Sequence, residues 1–120
     1  MSHAYLFPGQ GSQSLGMLAE LAGEYTEVKQ TFEQASEILQ QDLWTLVSSG
    51  PEEDLNRTEN TQPIMLCACI AVWKIWNKQF QNEPVFMAGH SFGEYTALVC
   101  AGVLDFASAE PLARFRGEVM

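Results

Sequence analysis

Gly89-His90-Ser91-Phe92-Gly93 places a hydroxyl between glycines in the pattern G-x-S-x-G. In that pattern the serine sits on a sharp strand-to-helix turn, and its oxygen stands exposed as a nucleophile above a sheet. The flanks fit. Val85-Phe86-Met87-Ala88 is wholly apolar, as a parallel strand covered on both faces requires, and Phe92 to Ala101 has helical spacing. A helix start offers backbone N–H groups, so the Phe92 amide can hold an oxyanion. The alternative is a serine in a glycine-rich turn without chemistry, and the strand and helix around it weigh against that.

A serine needs a base to become a nucleophile. His90 adjoins Ser91, but neighbours on such a turn point apart, so it reads as a packing or hydrogen-bonding residue. His3 precedes the first strand. In elbow folds the order is serine, acid, histidine, and no residue from 92 to 120 is a histidine. The base is expected outside this sequence, and residues 1–120 alone are expected to be inactive.

Tyr5-Leu6-Phe7 reads as a short buried strand running into Pro8-Gly9-Gln10-Gly11-Ser12-Gln13. A dinucleotide loop would need glycine where Ser14 stands, and no Walker lysine follows. Gln10 between two glycines is suited to presenting its backbone N–H beside Ser91. Leu15 to Ala22 starts a helix. Tyr25, Val28, Phe32, Ala35 and Leu39 predict a second, amphipathic one with Glu27, Lys29, Glu33 and Glu37 outward. Pro51 to Leu55 reads as one helical turn, Asn56 to Gln62 as a polar loop, and Pro63 as the first residue of a buried helix, Ile64 to Phe80. Gly102 suits a left-handed helix end, and Asp105 caps a last helix from Phe106.

Apolar residues make up 47% and charged residues 18%, with a net charge of −9 and only six lysines and arginines. This is one globular domain, and its charge argues against nucleic acid. The N-terminus lacks a secretory pattern, and the apolar run Ile64 to Trp73 is too short to span a bilayer. Cys67, Cys69 and Cys100 have neither redox nor zinc spacing and read as reduced core thiols. A cytoplasmic protein without a metal site and without a membrane partner is expected.

Phe7-Pro8-Gly9-Gln10-Gly11-Ser12-Gln13, Thr61-Gln62-Pro63, Gly89-His90-Ser91-Phe92-Gly93-Glu94-Tyr95 and Arg116-Gly117 stand in this order along the chain. On these residues it resembles the acyltransferase family that loads malonyl groups onto acyl carrier protein. The resemblance implies a ping-pong transfer, with Ser91 taking malonyl from malonyl-CoA and passing it to the carrier's phosphopantetheine thiol in fatty acid synthesis. Gln10 and Phe92 would supply the oxyanion-hole amides, Gln62 would line the pocket, Arg116 would hold the malonyl carboxylate, and no cofactor is implied. The implied fold is α/β: an α/β-hydrolase-like layered domain with a mainly parallel sheet. Residues 1–120 would form its N-terminal portion, truncated before the family's ferredoxin-like subdomain. Phe92 stands where many malonyl-specific members have leucine, valine or isoleucine. A serine esterase or thioesterase shares the elbow, and a free-standing acyltransferase serving a polyketide synthase is a further alternative.

The last helix carries two arginines that spacing assigns to opposite environments. Arg114 has Glu110 four residues before it and Glu118 four after, the pattern of a solvated ion-pair face. Arg116 shares its face with Ala109, Leu112, Val119 and Met120, where a guanidinium needs an anionic partner. Lys74 and Lys78 are the one close pair of lysines that could meet an acidic carrier, and a solvated helix end is the commoner reading of such a pair.

Overall fold

The computed structural model describes residues 4–9, 11, 13–80, 86–89, 93–102 and 104–119. Two short strands, β1 (Ala4–Phe7) and β2 (Phe86–Gly89), pair in parallel with Ala4 opposite Phe86 and Phe7 opposite Gly89. Between them run α1 (Ala19–Glu24), α2 (Thr26–Leu39), α3 (Leu43–Ser49), α4 (Glu52–Leu55) and α5 (Thr58–Phe80), and after them α6 (Gly93–Cys100) and α7 (Phe106–Val119).

This corrects the expected fold class. Among the described residues there is no layered domain built on a mainly parallel sheet; helices dominate, and the two strands contain four residues each. The physical reason is spacing. Most apolar residues recur at three and four positions, so they are buried by helix against helix, and two short strands are too few to form a layer.

α5 is the centre. Its apolarity without a clear stripe suits a helix packed on several sides, buried from Asn60 to Ala68 and open to solvent at Val72 and Trp76. Ile64, Cys67, Ala68, Ala71 and Ile75 pack with Val28, Phe32 and Ala35 of α2 and Leu43, Leu46 and Val47 of α3. Met65, Leu66 and Ile70 pack on the opposite side with Ala97 and Cys100 of α6 and Ala109 and Ala113 of α7. α2 matches its amphipathic reading, burying Val28, Thr31, Phe32 and Ala35. α3 had no apolar period to announce it. Its start is fixed by Asp42, whose carboxylate accepts from the Thr45 amide (3.1 Å) and hydroxyl (2.7 Å).

α5 also begins earlier than expected, at Thr58. The polar residues Asn60 to Gln62 before Pro63 are buried helix, and the side chains of Asn60 and Thr61 pair with the chain just upstream. The Thr61 hydroxyl donates to the carbonyls of Leu55 (2.5 Å) and Arg57 (2.9 Å), and Asn60 Nδ2 donates to that of Asp54 (2.9 Å). Pro63 lies inside the helix and removes one i→i−4 bond. α1 starts at Ala19, after turns from Leu15 to Leu18.

Candidate functional site

Register at the sheet comes first. Because Phe7 faces Gly89 in a parallel pair, the chain leaves β1 toward Pro8-Gly9 and leaves β2 toward position 90 at the same end. In parallel sheets the carboxyl ends of the strands are where ligands bind. Gln10, His90, Ser91 and Phe92 lie outside the described residues, as do His3 and Met120. The loop after β1 is tied down beyond them: the Gly11 amide donates to Gln13 Oε1 (2.8 Å), and Gln13 Nε2 donates to Asn56 Oδ1 (2.9 Å).

The two other candidates, Gln62 and Arg116, come together. α7 lies on α5 through Ala109, Ala113 and Gly117, all buried and four residues apart. At Gly117 the approach is closest. A Cβ there would stand 2.6 Å from the Glu59 Cα and 2.6 Å from the Thr58 carbonyl oxygen, so only glycine fits. That contact sets Arg116, the next residue back, against the second turn of α5. Its Nη1 donates to Gln62 Oε1 at 2.9 Å. Gln62 is fully buried, and a buried amide oxygen is costly unless bonded. A charged donor satisfies it well. The Arg116 guanidinium carbon also stands 5.8 Å from the centroid of the Tyr95 ring, in the first turn of α6. Three helices thus meet at one cation, and Tyr95 is four residues after Ser91.

Several charge assignments need correction. Arg116 is half-buried, but Leu112 and Val119 are exposed, so it does not share an apolar stripe with them. Arg114 is not on a solvated face: it is half-buried, its Nη2 donates to Gln41 Oε1 and its buried Nε has no partner. Glu110 is wholly buried on α7 with neither carboxylate oxygen hydrogen-bonded. Burial pushes its pKa well above the ordinary value, against the pull of Arg114. Lys74 and Lys78 do not form a joint patch. Lys74 turns inward, donating to the Thr31 hydroxyl (3.3 Å) and lying 5.8 Å from the Phe106 ring centroid, while Lys78 faces Glu27 at 3.6 Å.

The thiols are free cysteines, Cys67 and Cys100 buried and Cys69 half-buried. Burial raises all three, Cys69 to about 11 and Cys100 to about 12, so none is a thiolate nucleophile at neutral pH. Among the described residues no group of three His, Cys, Asp or Glu side chains could hold a metal ion, and no helix is long and apolar enough to cross a membrane.

The acyl transferase domain family matches residues 4–120. The chain belongs to that family. It is 57% identical over 118 residues to a malonyl CoA-acyl carrier protein transacylase of Haemophilus influenzae, covering 98% of this chain and 38% of the relative. An acyl carrier protein S-malonyltransferase of Vibrio cholerae superposes with a TM-score of 0.97 at 55% identity, over 100% of this chain and 39% of that one. A malonyl-transacylase solved with its type II polyketide synthase acyl carrier protein gives 0.96 at 54% identity, over 99% of this chain and 38% of that one. This acyl transferase chain therefore spans about two-fifths of the length of these relatives.

Within the acyl transferase, Tyr95 and Gly117 were missed as contributors to the Arg116 corner. Both lie inside the motifs quoted for the resemblance, Gly93-Glu94-Tyr95 and Arg116-Gly117. What no local pattern shows is that α6 and α7 bring them to one place.

Proposed function

We propose that the acyl transferase to which residues 1–120 contribute the N-terminal portion moves a malonyl group from malonyl-CoA to the phosphopantetheine thiol of an acyl carrier protein. Ser91 Oγ attacks the thioester carbonyl, the C–S bond breaks and the coenzyme A thiol leaves, giving a malonyl-Ser91 ester. The carrier thiol then attacks that ester, and the serine hydroxyl is regenerated. The backbone amides of Gln10 and Phe92 would hold the oxyanion in both steps, which is where charge develops. The proton of Ser91 requires a base that these residues do not supply. The donor and the product are both thioesters, so the transfer as proposed needs no cofactor.

The observation that carries this reading is the Arg116–Gln62 hydrogen bond beside the first turn of α6. Gln62 accepts from one of the guanidinium's five donors, and a planar fork of this kind matches a carboxylate. A malonyl group offers one; an acetyl group does not. Fatty acid synthesis in the cytoplasm is the proposed setting. The relative bound to a polyketide carrier keeps polyketide synthesis as the second reading for the acceptor.

Intact-protein mass spectrometry of the full-length enzyme mixed with malonyl-CoA tests this. A malonyl mass increment on the native protein and none on Ser91→Ala, with unchanged circular dichroism, is expected. An increment that survives the substitution would move the nucleophile elsewhere.

A further inference from the structure

Gly11 follows Gln10 directly, so the Gly11 nitrogen belongs to the planar peptide group that closes Gln10. Gly11 has φ +108°, a region that glycine enters freely, so its own backbone preference does little to fix that plane. Gln13 supplies the constraint. A backbone N–H can only donate, so Gln13 turns Oε1 toward the Gly11 amide (2.8 Å), and its Nε2 is left to donate to Asn56 Oδ1 (2.9 Å). One planar side chain thus bridges the loop after β1 to Asn56.

Asn56 is a fixed point. Its own amide donates to the Glu52 carbonyl at 3.0 Å, which closes α4, and Asn60 and Thr61 bind the following turn back onto α4. The same junction starts α5, whose second turn carries Gln62. The Gln13–Asn56 bond therefore ties the loop that contains Gln10 to the helix on which Arg116 is anchored. The far end of the loop is held separately, by the Gly16 amide donating to the Val47 carbonyl at 2.8 Å.

We propose that Gln13 and Asn56 are positioning residues for acyl transfer: their hydrogen bond braces the loop after β1 so that the Gln10 amide is aimed at the oxyanion before the reaction begins. This rests on the reading that the Gln10 amide is an oxyanion donor. Such a donor is effective only when it is preorganised toward the place where charge develops. Both hydrogen bonds of the brace are exposed, so they contribute little to overall stability and their effect falls on the rate.

The test is the rate at which Ser91 of the full-length protein is acylated in a single turnover. Asn56→Leu and Gln13→Met, with native circular dichroism, should each lower the rate at saturating donor by about tenfold and leave the half-saturating donor concentration unchanged. The loss should be equal for malonyl-CoA and acetyl-CoA, because the oxyanion forms on the thioester carbonyl of both. The double variant should be no slower than Gln13→Met. Asn56→Asp keeps an acceptor for Gln13 Nε2 and should retain the native rate. A native rate in either single variant, a loss confined to malonyl-CoA, or a loss that Asn56→Asp shares would overturn the proposal. Replacing Gln10 by its α-hydroxy analogue, which exchanges the N–H for an ester oxygen, separates the two claims. If the ester slows acylation while the side-chain variants do not, only the brace fails. If the ester leaves the rate native, the oxyanion reading fails and the brace with it.

Discussion

Arg114 and Arg116 sit two residues apart on α7, and the fold uses them differently. Arg114 faces the α2–α3 side, where Gln41 accepts from it and the buried Glu110 lies one turn back. Arg116 faces α5 and α6, where Gln62 accepts from it and Tyr95 lies beneath it. Both are half-buried cations, so burial alone does not distinguish them. What separates them is the neighbourhood: Arg114 neighbours an acid of its own helix, whereas Arg116 is brought to Tyr95 of α6.

Gly117→Ala should have the largest effect on this arrangement. Its Cβ would press on the backbone at Thr58 and Glu59, which cannot move aside as a flexible side chain could. A loss of about 3 kcal/mol is expected from such overpacking, read as a lower denaturant midpoint of the full-length protein. Malonyl preference should fall with it, because the Arg116–Gln62 distance changes. An unaltered midpoint would show that α7 is free to shift.

Glu110→Gln probes the Arg114 side and should act on stability alone. The sign follows from the raised pKa. A carboxyl protonated in the fold ionises on unfolding, so its stabilising effect is complete below the unfolded value near 4.5 and is lost as pH rises toward the folded value. The slope of native stability should be at most about 1.4 kcal/mol per pH unit in that window, and Glu110→Gln should flatten it. Urea unfolding at pH 5 and pH 7 measures this. A steeper slope in the variant would mean that Glu110 is ionised in the fold.

Much of this was legible in the residues. The apolar period of α2, the left-handed Gly102 (φ +80°) and the strands either side of the long helical stretch all follow from local spacing and turn chemistry. The layered sheet did not follow, because helical periods already accounted for most apolar residues. Glu110 and Arg114, four apart, carry the pattern of an exposed ion pair, and only the packing of α7 on α5 through Ala109, Ala113 and Gly117 turns that face inward. Thr61 and Gln62 read as loop for the same reason: the carbonyls and the guanidinium that satisfy them come from other elements. The pairing of Gln62 with Arg116 spans 54 residues, which no spacing rule within one helix can supply.

The most direct test of the account is the ratio of kcat/KM for malonyl-CoA to that for acetyl-CoA, measured on full-length protein carrying Arg116→Ala or Arg114→Ala. Loss of a charge-assisted contact to the substrate carboxylate is expected to lower the malonyl value of Arg116→Ala by about a hundredfold, with acetyl use retained, while Arg114→Ala keeps the native ratio. An unchanged ratio in Arg116→Ala, or an equal fall in both variants, would contradict the assignment of Arg116 to the donor's carboxylate.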